Sequence, residues 1–106
     1  MIAYAKNGWT ALGDSTRRSI FELLVERPCA VSDLARVLPV SRPAVSQHLK
    51  VLKDAGLVVD ARAGKQRVYR VDPAGLAALR ADLDRFWSKT LAAYKVAVEE
   101  PPKENK

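Results

Sequence analysis

The chain has 106 residues, of which 48% are hydrophobic, and this suits one small domain with a single core. A lone cysteine excludes an intrachain disulfide, and no segment is long and apolar enough to span a membrane or to serve as a signal peptide. Because the chain can form no internal disulfide, we expect a cytoplasmic protein. The net charge of +6 favours an acidic partner.

Two helices are predicted at the start of the chain. The first spans about residues 3–12 and carries Trp9 and Leu12 as large apolar side chains. Asp14 is expected to cap the second helix, because an aspartate can accept hydrogen bonds from N–H groups of the first turn. The start of the second helix is expected to approach a DNA phosphate, with Arg17 or Arg18 simply solvated as the alternative; the residues there are Thr16, Arg17 and Arg18.

A helix-turn-helix is predicted over residues 32–55. Ser32 is expected to cap a short first helix, which ends at a tight turn. The second helix, residues 42–55, is called the reading helix below. Ser41 can cap its first turn, and Gly56 can end it in a left-handed conformation.

The reading helix separates into an apolar and a polar face at about 100° per residue. His48 falls on the apolar face and is expected to be packed or partly buried; a pH sensor or a ligand is the alternative. The polar face carries cations and short hydrogen-bonding side chains, which suit base edges in a DNA groove. Phosphate contact is the alternative for each of them. The predicted base-reading residues are Arg42, Ser46, Gln47 and Lys50.

A β-hairpin is predicted over residues 57–71, with Gly64 at its turn. A hairpin that follows a reading helix is a wing, and basic side chains at its tip can reach a phosphate or a minor groove. Together with the ends of the reading helix, the wing supplies the predicted contacts to the DNA backbone: Ser41, Lys53, Arg62, Lys65 and Arg67.

The positive charge is concentrated on these two elements. Seven basic and two acidic residues lie between Ser41 and Arg70, which places +5 of the net charge of +6 in this segment. A basic stripe on a reading helix and its wing is the expected electrostatic footprint for nucleic acid. An ordinary solvated face is the alternative interpretation.

A long helix is predicted over residues 73–98, because Asp72 and Pro73 form a strong helix start. It would be about 40 Å long, which exceeds what a small core can cover. An open apolar stripe usually marks an interface, so we predict a homodimer through this helix and the N-terminal helix; folding of the stripe onto its own domain is the alternative. Residues 99–106 are expected to be disordered. The predicted interface residues are Trp9, Leu12, Leu79, Leu83, Phe86, Trp87, Leu91 and Tyr94.

These elements predict one mainly α domain with a small β-hairpin over residues 1–98, a winged helix-turn-helix. Three segments resemble the ArsR/SmtB family of winged-helix repressors: ALGDSTRRSIFELL, VSDLARVLPVSRPAVSQHLKVLKDAGLV and RAGKQRVYRVDP. They cover about residues 9–75. The resemblance implies a dimeric bacterial transcriptional repressor that binds a palindromic operator near its own promoter and is released by an inducing signal.

The sequence departs from the metal-sensing members of that family. One family site uses two cysteines before the turn, and these positions align with Ala30 and Ser32, whereas Cys29 is one residue away. Another site uses Asp and His on the closing helices, where this chain has Asp82 and Asp84 but no histidine on the closing helix. Soft transition metals need several S or N ligands, so we expect no metal site and no cofactor.

Other functions have weaker support in the sequence. It contains no nucleophile elbow, no phosphate-binding glycine loop and no His–carboxylate spacing of a metal hydrolase, so no enzyme is predicted. A winged module that docks a protein and an architectural DNA binder without sequence preference are the alternatives. A redox role for Cys29 and a small-molecule pocket beside Phe86 and Trp87 are further alternatives to a plain loop cysteine and to interface packing.

Overall fold

The fold is a helix-turn-helix with a wing, enclosed by one helix at each end of the chain. In the computed structural model, the backbone is described for residues 2–99 and the side chains for residues 7–99. The elements in chain order are α1 (Ile2–Ala11), α2 (Ser15–Glu26), β1 (Cys29–Ala30), α3 (Val31–Val37), α4 (Arg42–Asp54), β2 (Val58–Ala63), β3 (Gln66–Val71) and α5 (Pro73–Glu99). The reading helix is α4, and the wing is formed by β2 and β3. The predicted tail beyond residue 99 lies outside the described residues.

Side-chain caps start three of the helices where the sequence predicted them. Asp14 accepts the backbone N–H of Arg17 at 2.9 Å, and Ser41 accepts that of Ala44 at 3.3 Å. Asp72 accepts the N–H of Ala74 at 3.0 Å, directly before α5. Each bond satisfies an N–H group that the first turn of a helix leaves without an internal partner.

The start of α3 differs from the prediction. Ser32 lies inside the first turn rather than at the cap, because the helix begins at Val31. The preceding residues are extended: Ala30 belongs to β1, and its N–H donates to the Asp33 carboxylate at 3.1 Å. Asp33 therefore fastens the start of α3, and its carboxyl has a lowered pKa, mainly because of this N–H bond.

The reading helix ends in a hydrogen-bonded glycine motif. Gly56 has φ of +80°, and its N–H donates to the carbonyl of Lys53 at 2.9 Å. The N–H of Leu57 donates to the carbonyl of Leu52 at 3.0 Å, which completes a Schellman arrangement. This ending turns the chain directly into β2, so the wing begins at a fixed distance from the reading helix.

The sheet has three strands rather than the two of the predicted hairpin. Its order is β1-β3-β2, and both pairings are antiparallel. The additional strand is the two-residue β1, in which Cys29 pairs with Tyr69 and Ala30 with Val68. Two residues are too few for an alternating pattern, so the sequence carried no signal for this strand.

The core lies between the helix-turn-helix and the base of the wing. Its fully buried side chains come from four of the elements and one connecting residue: Ile20, Leu34, Val45, Leu49, Leu52, Leu57 and Val58. Three of these lie on α4, so one face of the reading helix is completely buried. Burial of this face holds the opposite face of α4 in solvent.

The closing helix packs on the domain only near its start. Gly8 of α1 lies so close to α5 that a Cβ there would come within 2.9 Å of Leu79 Cδ2. Leu79 is therefore 5% exposed and belongs to the core of the protomer, which corrects its predicted place in an open interface. Beyond it, α5 leaves the domain and its large apolar side chains are exposed. Among the described residues, no helix combines the length and apolarity that crossing a membrane requires.

We expect Leu49→Ala to lower the free energy of unfolding by about 2–5 kcal/mol, because it opens a cavity under the reading helix. Urea denaturation followed by circular dichroism, at one protein concentration, measures this loss. Val51→Ala is the control, since Val51 lies on the same helix but is 39% exposed. Its expected loss is about 1 kcal/mol or less. Equal losses for the two variants would contradict this assignment of the buried face.

Candidate nucleic-acid interface

The four predicted base-reading residues share the solvent face of α4. Arg42, Ser46, Gln47 and Lys50 are all exposed, opposite the buried Val45, Leu49 and Leu52. Lys50 Nζ lies 3.0 Å from Asp54 Oδ2, an exposed ion pair one helical turn apart. Such a pair is worth little in solvent, so Lys50 can exchange Asp54 for a base or a phosphate.

The start of the reading helix borders a cleft that also touches the wing. Arg42 lines this cleft of about 310 Å³ together with Ser32 of α3 and with Gln66 and Arg67 of β3. Gln66 Nε2 donates to Ser32 Oγ at 3.4 Å, which links the wing to α3. The cleft therefore gathers a predicted base-reading residue and a predicted backbone contact on one surface.

The tip of the wing is open. Arg62 and Lys65 are exposed, and neither forms an ion pair among the side chains of residues 7–99. Gly64 has φ of +64°, with nothing within 4 Å of the position of a Cβ. The tip therefore presents two cations to solvent on a tight turn, as a phosphate contact requires.

Three charged residues join the reading helix to the wing; we call Lys53, Asp60 and Arg67 the Asp60 cluster. Lys53 Nζ lies 2.9 Å from Asp60 Oδ1, and Arg67 Nη1 lies 2.9 Å from Asp60 Oδ2. The Asp60 side chain is 7% exposed, whereas both cations are about half exposed. The hydrogen bond from Lys53 and then that from Arg67 lower the pKa of Asp60 against the opposing effect of burial, and Asp60 in turn raises the pKa of Lys53.

The start of α2 does not join this basic surface through Arg17. The Arg17 guanidinium donates from Nε to the carbonyl of Ala11 at 2.8 Å, and its Nη1 lies 3.4 Å from His48 Nδ1. These contacts fasten α1, α2 and α4 together, so the predicted phosphate contact of Arg17 is corrected to a structural role. His48 is 22% exposed, in agreement with its predicted place on the apolar face. Thr16 is half-buried at the helix start.

The predicted interface residues fall into two groups. Leu12 packs against the core, as Leu79 does. Trp9 is 40% exposed, and its indole N–H donates to Asp82 Oδ2 at 2.6 Å across α1 and α5. The remaining residues are all more than two-fifths exposed along α5: Leu83, Phe86, Trp87, Leu91 and Tyr94. With Trp9, the first two of them border an open groove of about 520 Å³.

The lone cysteine and the lone histidine lie apart in the fold. Cys29 is buried in β1, and its Sγ donates to the carbonyl of Arg27 at 3.4 Å. His48 lies on α4 beside Arg17. Over the described part of the chain, no three residues of the types His, Cys, Asp and Glu are grouped so that they could hold a metal ion.

Sequence reasoning missed the role of Asp60 and the link between Ser32 and Gln66. In the sequence, Asp60 is only one of two acids in a basic stretch. Its place two residues after the buried Val58 is a usable signal, because alternate residues of a strand share a face. The Ser32–Gln66 contact depends on how α3 packs against the wing, and no local pattern specifies that.

The reading helix has one buried face and one polar, exposed face, and a basic wing follows it. These features define a winged helix-turn-helix DNA-binding protein. A family profile described as "Bacterial regulatory protein, arsR family" matches residues 14–59. The chain is 63% identical over 91 residues to the HTH-type transcriptional regulator Rv2034 of Mycobacterium tuberculosis, which covers 86% of this chain and 85% of that one. The chain therefore belongs to the arsR family of bacterial regulatory proteins.

Solved structures show the same fold. The ArsR-like transcriptional regulator from Rhodococcus sp. RHA1 matches with a TM-score of 0.77 and 34% identity, over 95% of this chain and 97% of that chain. The homodimeric winged helix-turn-helix DNA-binding domain Mb0332 from Mycobacterium bovis matches with a TM-score of 0.65 and 23% identity, over 92% and 84%. The expected winged helix-turn-helix fold is thereby confirmed.

The Asp60 cluster makes the stability of the domain depend on pH. Because its pKa is lowered in the folded state, Asp60 stabilises the fold above its unfolded pKa near 3.8, and this contribution is lost as the pH falls through the folded pKa. The urea midpoints of the wild type and of Asp60→Asn should therefore differ most at neutral pH and converge as the pH falls below the unfolded value of 3.8 and through the lowered folded pKa. Asp84→Asn, which removes an exposed carboxylate of α5, is the control. A difference that persists unchanged into acid would contradict this assignment.

Proposed function

We propose that the chain represses transcription by binding an inverted-repeat operator as a homodimer, with base contacts from α4 and backbone contacts from the wing. The coarser function follows from its family: the chain is a DNA-binding transcriptional regulator and not an enzyme. Relatives of 35% and 41% identity are transcriptional repressors. The observation that carries the finer proposal is the exposed polar face of α4, together with an open, basic wing tip.

The base-reading roles follow from side-chain chemistry. Arg42 can donate two parallel hydrogen bonds to guanine, and Gln47 can both donate to and accept from adenine. Ser46 and Lys50 lie on the same face and supply shorter or charged contacts. Arg62 and Lys65 at the wing tip contact phosphates or a minor groove, with Thr16 and Ser41 near the backbone. In a dimer, two such reading helices enter successive major grooves about 34 Å apart.

The open half of α5 supports the proposal of a homodimer. Phe86, Trp87 and Tyr94 are each more than half exposed, and together with Leu83 and Leu91 they form an apolar stripe along the helix. Stripes of this size are rare on monomers and mark interfaces. A second copy of the chain would cover both stripes at once, since a two-fold interface pairs a surface with itself. The homodimeric Mycobacterium bovis domain has the same fold.

We also propose that the inducing signal is not a metal ion held at either family site. The chain has one cysteine and one histidine, and Cys29 and His48 lie on separate elements. Neither can form the multidentate S or N site that soft transition metals need. As a regulator of transcription, the protein acts in the bacterial cytoplasm, at the nucleoid.

Substitutions on the two elements should have different effects on DNA binding. Arg42→Ala and Gln47→Ala each remove base contacts worth about 1–3 kcal/mol, so the preference for operator over random duplex should fall roughly 5- to 150-fold. Lys65→Ala should weaken both duplexes about equally and reduce the salt slope by about 0.9 per subunit. Gel shifts against an operator selected by the wild type from a random-sequence library measure both effects.

The same experiment distinguishes the alternatives. Equal wild-type affinity for every duplex would indicate an architectural DNA binder. Absence of binding at about 0.1 M salt would indicate a protein-docking module. Unchanged discrimination in both α4 variants would show that the reading helix has been assigned wrongly.

A charge placed in the open stripe should separate the dimer. We expect Trp87→Glu to raise the dimer dissociation constant by at least about 100-fold, because burying an unpaired carboxylate and losing an aromatic anchor both oppose association. Sedimentation velocity over a concentration series measures this change. Val25→Glu is the matched control, since Val25 is also 57% exposed but lies on α2. A Trp87→Glu dimer as stable as that of the control would contradict an interface on α5.

A further inference from the structure

Asp60 is an acid on the inner face of a basic wing. It pairs across the sheet with Tyr69, on the same side as the Val58–Val71 pair. Val58 is 1% exposed, and its side of the strand continues into the core, which explains why the Asp60 side chain is only 7% exposed. A carboxylate in this place must be paired, because an unpaired buried charge is costly.

The two partners of Asp60 come from different DNA-binding elements. Lys53 lies in the last turn of α4, and Arg67 lies on β3, diagonally across from Asp60. Each cation occupies a separate carboxylate oxygen at 2.9 Å, so one side chain joins the reading helix to the wing. Both cations are otherwise about half exposed and long enough to reach a phosphate if released.

We propose that Asp60 is a specificity-determining positioning residue: it fixes the wing to the reading helix and withholds Lys53 and Arg67 from the phosphates of random DNA. This proposal rests on the proposed function of the α4 and wing surface. The lowered pKa of the Asp60 carboxyl agrees with it, since the carboxylate stays charged at neutral pH. Lys53 and Arg67, predicted from the sequence as backbone contacts, are thereby assigned to the scaffold of the interface.

The consequence concerns discrimination more than affinity. Phosphate contacts supply binding to any sequence, whereas base contacts need a defined register of reading helix and wing. Two cations held by Asp60 add nothing to binding of random duplex. Because the same bonds hold the wing beside α4, the operator alone gains from the fixed geometry. Loss of the carboxylate should therefore raise non-specific affinity and lower the preference for the operator.

The test compares Asp60→Asn with the wild type on two duplexes, the operator selected by the wild type and a scrambled duplex of equal length. On the scrambled duplex, Asp60→Asn should bind about tenfold tighter at 0.1 M salt, with a salt slope steeper by up to about 0.9 for each released cation per subunit. The ratio of operator to scrambled affinity should fall about tenfold. Asp84→Asn carries the same change of charge on α5, where Asp84 pairs with Arg80, and should leave the slope at its wild-type value.

A triple variant separates this role from a general loss of structure. In Asp60→Asn/Lys53→Gln/Arg67→Gln the extra salt dependence of binding should disappear, because the two cations that cause it are gone. The triple and the wild type should share one slope on scrambled duplex, and this comparison suffices if the single variant does not fold. A triple slope flatter by about 1.8 per subunit would overturn the inference, because both cations would then contact phosphates in the wild type. The inference would also be overturned if Asp60→Asn kept both the operator preference and the salt slope of the wild type. If the wild type selects no operator, the proposed function is overturned as well.

Discussion

The complete burial of one face of α4 is the constraint on which the rest of the structure depends. Val45, Leu49 and Leu52 are each fully enclosed, and burying three such side chains contributes several kcal/mol. No other rotation of the helix about its axis keeps these three residues out of water. The polar face is therefore held in solvent by the core rather than by any bond of its own, and it can present side chains that gain nothing from folding.

The wing is positioned by contacts on both of its sides. On one side β3 pairs with β1, which continues directly into α3. On the other side β2 follows the glycine ending of α4, and the Asp60 cluster spans the gap back to that helix. Reading helix, turn and wing thus form one continuous surface, and the exposed face of α4 has a fixed position relative to the wing tip.

Most of the fold was predictable from local patterns, because its elements carry their own start and stop signals. Asp14, Ser41 and Asp72 act as caps where the sequence indicated them, and Gly56 ends the reading helix as expected. What failed depended on tertiary packing. The β1 strand is too short to have a period, Leu79 looks like its exposed neighbours on α5 until α1 covers it, and Arg17 resembles a free cation until its contacts with Ala11 and His48 are known.

The two residues of β1 also divide the wing into parts of different mobility. A two-stranded ribbon is marginally stable alone, and β1 adds a third strand only beside Val68 and Tyr69, midway between the base of the wing and its tip. Toward Gly64 the ribbon has two strands with exposed side chains, so its amides should exchange with solvent faster than those at the base. For the proposed operator binding, a wing with a rigid base and a flexible tip has a use: the tip can adapt to the width of a DNA groove while the position of α4 stays fixed.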